Sequence, residues 1–160
     1  MELPVIFVSV LLSLLPISEL RGGIPFAYFN GVSLFLAAPL CIITNAMVAP
    51  IAYTFLATVH KIFYSYWPWY VSFFDRFVAK AQRRVYPKVS KYGYWGILLF
   101  VAVPLPITGA WTGTLGSWIM GLDKRKTMMA VFGGVIVSGL IVTSLVALGV
   151  GIDSVFMKRI

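Results

Sequence analysis

Two ionisable residues, Glu19 and Arg21, lie inside the otherwise apolar stretch 15–32. A charge at the centre of a bilayer costs at least about 2.5–3.5 kcal/mol, so such residues are rare there and mark functional sites. We expect Glu19 to load and release a proton and Arg21 to hold an anionic group. A structural interpretation stands beside this one, in which the two side chains pair with each other or cap a break in the helix.

The surrounding residues predict that break. Pro16 cannot continue an unstrained helix, and the Gly22-Gly23 pair loosens the next turn. The same pattern recurs at an offset of 90 residues, without a gap, in the stretch 105–122. The recurring residues are Leu15, Pro16, Ile17, Ser18, Gly23 and Gly31, which match Leu105, Pro106, Ile107, Thr108, Gly113 and Gly121. We expect exposed amides near Gly22, Gly23 and Gly109, at the broken helix ends, to help bind an anion.

The composition is that of an integral membrane protein. Of the 160 residues, 60% are hydrophobic and only 11% are charged, which is too few to cover a soluble domain. The net charge of +8 comes from basic residues that flank apolar spans, which favours topology and anionic lipid over nucleic acid. The single cysteine excludes an internal disulfide. Without a Cys/His cluster, a Ser-His-Asp set or a phosphate-binding glycine loop, we expect neither an enzyme nor a metal or cofactor site.

Segment lengths predict the fold. Leu3–Ile17 would make a helix of roughly 22 Å at 1.5 Å per residue, short of the ~30 Å hydrocarbon core, so we expect a re-entrant hairpin. Val32–His60 predicts a tilted transmembrane helix, kinked or broken at Pro39 and Pro50. A second hairpin over 92–122 and a second span over Thr127–Ile152 complete the chain. Four full crossings are the alternative.

The predicted fold is a single all-α membrane domain in two inverted halves, residues 1–60 and 92–160, joined by the linker 61–91. Its aromatic and basic residues predict an amphipathic helix on the membrane surface, ended by Pro87. The linker holds seven Lys/Arg and the turn 123–126 three, so the positive-inside rule places both in the cytoplasm. Both termini of this multi-pass plasma-membrane protein would then lie outside.

Two further expectations concern helix packing. Thr44 and Asn45 are the polar pair of the first span, and an interhelical hydrogen bond is favoured over a substrate role for them. Two hairpins and two spans barely enclose a site. We therefore expect a homodimer or higher oligomer, formed through the small residues in 133–151.

The order of the motifs resembles a known family. Glu-x-Arg-Gly-Gly-x-Pro at 19–25, a basic linker, and Pro-x-Pro-x-Thr-Gly-x-Trp at 104–111 resemble the small multidrug export proteins of archaea and bacteria. That family is similar to the DedA (SNARE-associated, VTT-domain) superfamily. The resemblance covers nearly the whole chain. It implies two re-entrant helices that face each other, and proton-coupled transport or the flipping of polyprenyl-phosphate and phospholipid carriers.

The resemblance assigns Glu19 to the embedded acid and Arg21 to the embedded arginine. Gly109 and Trp111 occupy the equivalent positions in the second half, where such proteins commonly carry further arginines. A phosphate site built from arginines of both halves is therefore not expected. The candidate site comprises Glu19, Arg21, Gly22, Gly23, Pro25, Pro104, Pro106, Thr108, Gly109, Trp111 and Thr112.

These residues lead to two functional hypotheses. The first is a transporter or flippase that moves an amphipathic, anionic lipid or drug-like substrate with proton coupling, through a midplane site to which Thr108 and Thr112 supply hydroxyls. The second is a non-transporting protein that organises lipid or holds a partner through the aromatic and basic linker 61–91.

Overall fold

The computed structural model describes residues 2–69, 71–72, 75–76, 79, 83, 91–104 and 108–157. Within this part the regular secondary structure is entirely helical, as predicted. The helices are α1 (Glu2–Leu14), α2 (Glu19–Phe29), α3 (Leu34–Ala46), α4 (Val48–Tyr66), α5 (Tyr94–Ala102), α6 (Ala110–Ile119) and α7 (Lys124–Met157). The chain forms two compact units, Met1–Asn45 with Ile136–Ile160, and Ala46–Val135.

The first unit contains the α1–α2 hairpin. α1 ends at Leu14, two residues before Pro16, and α2 begins at Glu19 and packs on α1. The predicted break at Pro16 is confirmed. The prediction that Gly22 and Gly23 also loosen the chain is wrong, because both are helical residues of α2. A Cβ on Gly23 would lie 2.8 Å from the backbone oxygen of Ser9, so the glycine allows α2 to approach α1 closely.

The second unit contains the matching α5–α6 hairpin. α5 ends at Ala102, before Val103 and Pro104, and α6 begins at Ala110. Gly113 of α6 packs on α5, and a Cβ there would lie 2.7 Å from Cγ2 of Val101. Gly113 is the repeat equivalent of Gly23. The two glycines therefore have the same role in the two hairpins.

The two return helices also end in the same way. In α2, the amide of Gly31 donates to Tyr28 O and that of Val32 to Ala27 O, a Schellman cap with Gly31 at φ 93°. In α6, the equivalent amides of Gly121 and Leu122 donate to Trp118 O and Ser117 O, with Gly121 at φ 66°. α3 and α7 each begin three residues after the cap glycine. The sequence repeat is thus also a repeat of backbone geometry.

Helix lengths separate the hairpins from the spans. α1, α2, α5 and α6 have 13, 11, 9 and 10 residues, or about 14–20 Å, less than the ~30 Å hydrocarbon core. Two stretches of the described chain, Leu34–Leu56 and Lys124–Gly149, are long and apolar enough to cross a membrane. They lie within the two predicted spans, apart from the first three residues of the second. The first is interrupted at Met47, and Pro50 stands in the opening turn of α4, where a missing amide is tolerated.

The glycines of α7 pack inside the chain. Gly133 and Gly134 face Leu98 and Val101 of α5 in the second unit, whereas Gly139 faces Ile42 of α3 in the first. The sequence predicts contacts between chains for these small residues. Since three of them already pack within one chain, they do not support a homo-oligomer, which stays a prediction.

The predicted amphipathic helix of the linker 61–91, including Pro87, lies largely outside the described residues. The first residues of the linker, 61–66, belong to α4. Beyond them Trp67 and Trp69 are exposed, as expected for aromatic residues at a bilayer interface.

Candidate functional site

Glu19 lies at the first position of α2, immediately after the break. It is buried, with 5% of its surface exposed, and its backbone has φ 49°, in the left-handed region. A residue with a side chain pays of order 1–3 kcal/mol for such a conformation, which the surrounding structure must supply. Its amide donates to Leu15 O across the turn (3.0 Å). The structure therefore holds an acidic side chain in a strained, buried position at the point where the hairpin reverses.

Glu19 and Arg21 face each other. The distance from Oε2 of Glu19 to Nη2 of Arg21 is 3.9 Å, beyond hydrogen-bond distance, so the contact is electrostatic. Residues at i and i+2 on a regular helix point apart, and the positive φ of Glu19 takes that residue out of helical geometry. The pairing in the structural interpretation is thus confirmed. A transport role for the same pair is a separate question.

A buried polar layer lies in the same unit. The Nδ2 atom of Asn45, a residue only 1% exposed, donates to Ser13 O (2.8 Å), and this joins α3 to α1. The hydroxyl of Ser13 donates to Ser9 O (2.8 Å). The interhelical hydrogen bond predicted for Asn45 is confirmed. Ser9 and Ser13 were missed, although two serines four residues apart in an apolar helix are a readable signal.

At each of the two helix breaks a side-chain hydroxyl donates a hydrogen bond to a backbone carbonyl. The Ser18 hydroxyl donates to Leu12 O, and that of its repeat equivalent Thr108 donates to Val103 O (2.9 Å). Each side chain satisfies a carbonyl at the end of the preceding helix, which otherwise has no intrahelical partner. Thr108 thus has a structural role in the second hairpin, and a substrate contact for it stays a prediction.

The remaining candidate residues of the first half lie in α2. The amide of Gly22 donates to Ser18 O (3.2 Å), so this amide is not exposed as predicted, and anion binding near the glycines stays a prediction. The amide is hydrogen-bonded because α2 already begins at Glu19, whereas the glycine pair suggested that the helix would begin after Gly23. Pro25 lies inside α2 and is half-buried.

The candidate residues of the second half lie in the other unit. Gly109 is the N-cap of α6, and its carbonyl accepts a hydrogen bond from Gly113 (2.8 Å). Trp111 is half-buried and Thr112 is buried, both in the first turn of α6. Pro104 is half-buried, and Pro106 lies outside the described residues. The predicted meeting of these residues with Glu19 and Arg21 stays a prediction.

Comparison with known proteins shows which family the chain belongs to. The family described as "Putative small multi-drug export protein" matches residues 19–141, most of the chain, and the match begins at Glu19. The chain belongs to this family. Neither a search of curated proteins nor a search of solved structures finds a significant match. Family membership and the two apolar spans together make this small multi-drug export family member a membrane protein with a transporter-like role.

Proposed function

We propose that the protein is a membrane transporter or flippase that moves an amphipathic, anionic lipid or drug-like substrate together with protons. The observation that carries this proposal is the pair of buried Glu19 and half-buried Arg21 at the break of the first hairpin. Strained backbone at a buried ionisable residue is typical of functional sites. The family name supports a transporter-like role, and the substrate class is inferred from the pair.

The contact between Glu19 and Arg21 suggests how a proton and an anion would be coupled. A guanidinium binds carboxylate and phosphate groups through two parallel hydrogen bonds, which are stronger than an electrostatic contact at 3.9 Å. An anionic substrate would therefore displace the Glu19 carboxylate from Arg21, and Glu19 would take up a proton. The net charge of the buried site stays the same when one anion and one proton bind together. Substrate and proton would then move in the same direction.

We further propose that both hairpins are re-entrant and that they face each other near the midplane as an inverted pair. The shortness of their helices and the identical caps at Gly31 and Gly121 support this arrangement. It places the linker 61–91 and the turn 123–126 in the cytoplasm, with both termini outside. Four full crossings are the competing topology. Labelling of single cysteines at 20–24 and 107–111 distinguishes the two, because only re-entrant breaks lie at membrane depth.

The experiment is flipping in proteoliposomes. The full chain is reconstituted with fluorescent phosphatidylglycerol, and dithionite bleaching reports the label in the outer leaflet with and without a pH gradient. We expect the labelled lipid to accumulate in the leaflet on the alkaline side. Glu19→Gln should abolish the response to the gradient, whereas Glu19→Asp, which keeps an acid, should retain part of it. Glu19→Gln with a wild-type response would remove Glu19 from the mechanism.

Matched variants separate function from folding. Asp75→Asn and Arg125→Gln make the same charge changes as Glu19→Gln and Arg21→Gln at exposed positions, and both should transport like the wild type. Each variant is first compared with the wild type by circular dichroism and size-exclusion chromatography. If Arg21→Gln is folded and still moves phosphatidylglycerol at the wild-type rate, Arg21 does not bind the anion.

The second candidate function is a membrane-organising protein that acts through its linker. The exposed Tyr66, Trp67 and Trp69, at the end of α4 and just beyond it, favour an interfacial anchor there. Replacing the linker's Lys and Arg residues by Gln tests this function. Transport that survives the replacement supports the first proposal, and its loss while the hairpins stay folded supports the second.

A further inference from the structure

An apolar groove lies in the second unit between the first turns of α5 and α7. It encloses about 340 Å³ and is lined by Tyr94, Trp95, Leu98, Lys126, Met129 and Ala130. Trp95 and Met129 are 72% and 73% exposed, so the groove opens to the outside of the chain. One turn further along α7, Gly133 packs on Leu98 and closes it. We name this feature the α5–α7 groove.

The α5–α7 groove begins where a membrane surface is expected. Lys124 starts the second candidate span and follows a charged turn. The hydroxyl of Tyr94 accepts a hydrogen bond from the amide of Asp123 (3.2 Å), so the first residue of α5 lies at the same level as the start of α7. Tyr and Trp prefer this level of a bilayer, where an aromatic ring meets both apolar chains and water. The groove thus runs from the headgroup region into the hydrocarbon.

The open end of the α5–α7 groove carries positive charge. Lys124, Arg125 and Lys126 are all exposed, and Nζ of Lys126 lies 5.8 Å from the centre of the Tyr94 ring. The nearby acid, Asp123, accepts the backbone amide of Lys126 through Oδ1 (2.9 Å) and caps the helix. Its carboxylate neutralises only one of the three cations. The groove therefore has apolar walls and a cationic rim.

We propose that the α5–α7 groove binds one anionic phospholipid, with an acyl chain along Leu98, Met129 and Ala130 and the phosphate at Lys126. The charge decides between occupants. A second copy of the chain would bring an identical cationic rim against this one if the contact were symmetric, and like charges repel. A zwitterionic lipid lacks the net negative charge that complements the rim. The inference does not depend on transport by the Glu19–Arg21 site.

The experiment uses a quencher carried by the lipid. The full chain is reconstituted in phosphatidylcholine vesicles that contain increasing fractions of phosphatidylglycerol with brominated acyl chains. Quenching is measured in the wild type and in Trp95→Phe. The difference between the two is the quenching of Trp95, which reports lipid in the groove. We expect brominated phosphatidylglycerol to quench Trp95 at lower fractions than brominated phosphatidylcholine does. Equal quenching by the two lipids would overturn the proposal.

Two pairs of variants localise the site. Lys126→Gln should raise the phosphatidylglycerol fraction needed for half-quenching about five-fold, the effect of about one basic residue at a membrane surface. Arg125→Gln removes the same charge from a residue of the turn that does not line the groove, and should change this fraction less than Lys126→Gln does. Equal effects would mean diffuse attraction to the turn and would refute a site.

Ala130→Leu narrows the groove at unchanged charge and should weaken quenching, while Ala147→Leu on the exposed part of α7 should not. Unchanged quenching in Ala130→Leu would also overturn the proposal.

Discussion

Replacing Gly23 by alanine should destabilise the first hairpin. The new Cβ would lie 2.8 Å from the backbone oxygen of Ser9 and 3.1 Å from the Cys41 sulfur, and would also meet the Ser13 hydroxyl. A backbone oxygen cannot rotate away, so α2 must shift from α1. Overpacking of this kind costs about 1–3 kcal/mol, and alanine returns about 1 kcal/mol through its higher helix propensity. We expect a net loss of up to about 2 kcal/mol in the free energy of unfolding.

The control is the same substitution at Gly149. This residue is also helical and a Cβ there would meet nothing within 4 Å, so Gly149→Ala should stabilise α7 by about 0.5–1 kcal/mol. Both variants are measured by reversible unfolding in mixed detergent with tryptophan fluorescence as the signal. The two substitutions are chemically identical, so the difference between them isolates the contact of α2 with α1.

Two results would refute this reasoning. The first is a Gly23→Ala variant as stable as Gly149→Ala, which would mean that the close contact of α2 with α1 is absent. The second comes from the repeat equivalent, Gly113. The Cβ of Gly113→Ala would meet Cγ2 of Val101, a side-chain atom that can move, so this variant should lose less than Gly23→Ala. The reverse order would show that backbone contact does not set the cost.

Two further predictions concern the polar residues of the first unit. Because Glu19 has φ 49°, Glu19→Gly should be more stable than Glu19→Ala by about 1 kcal/mol in thermal unfolding, and an alanine variant of equal or higher stability would contradict the strain. Asn45→Ala removes a buried hydrogen bond and should cost about 1–3 kcal/mol, whereas Asn30→Ala, whose bond to Phe26 O is exposed, should cost less than about 0.5 kcal/mol. Similar losses in chemical unfolding would place Asn45 in contact with solvent.

Local features of the fold were predictable from the sequence because their causes are local. Pro16 disfavours continuation of a helix through its own ring and its missing amide hydrogen, and a glycine after an asparagine at Gly31 is a usual stop. The match between Gly31 and Gly121 follows from the spacing of the repeat alone. The two spans followed from length and composition.

Features that depend on a packing partner were not predictable. Gly22 and Gly23 suggested flexibility, but Gly23 is helical because α1 lies against it, and one sequence does not reveal that neighbour. Gly133 and Gly134 suggested contacts between chains, but Leu98 and Val101 of the same chain lie against them, and one sequence does not reveal those neighbours either. The spacing of Ser9 and Ser13 was a signal in the sequence, but only the hydrogen bond from Asn45 to Ser13 O shows that they belong to a polar layer. The left-handed backbone at Glu19 had no signal, since glutamate rarely adopts it.

The paired caps at Gly31 and Gly121 show that the two halves share backbone structure, whereas their charged residues differ. The C-terminal helix cap recurs after 90 residues, and in each half it consists of backbone hydrogen bonds and one glycine with positive φ. The acid and the arginine did not recur, since Gly109 and Trp111 stand in their places. Each half therefore has its own scaffold, but only one half carries an ionic pair at its break. Any chemistry that depends on that pair must be asymmetric, even though the backbone that supports it is repeated.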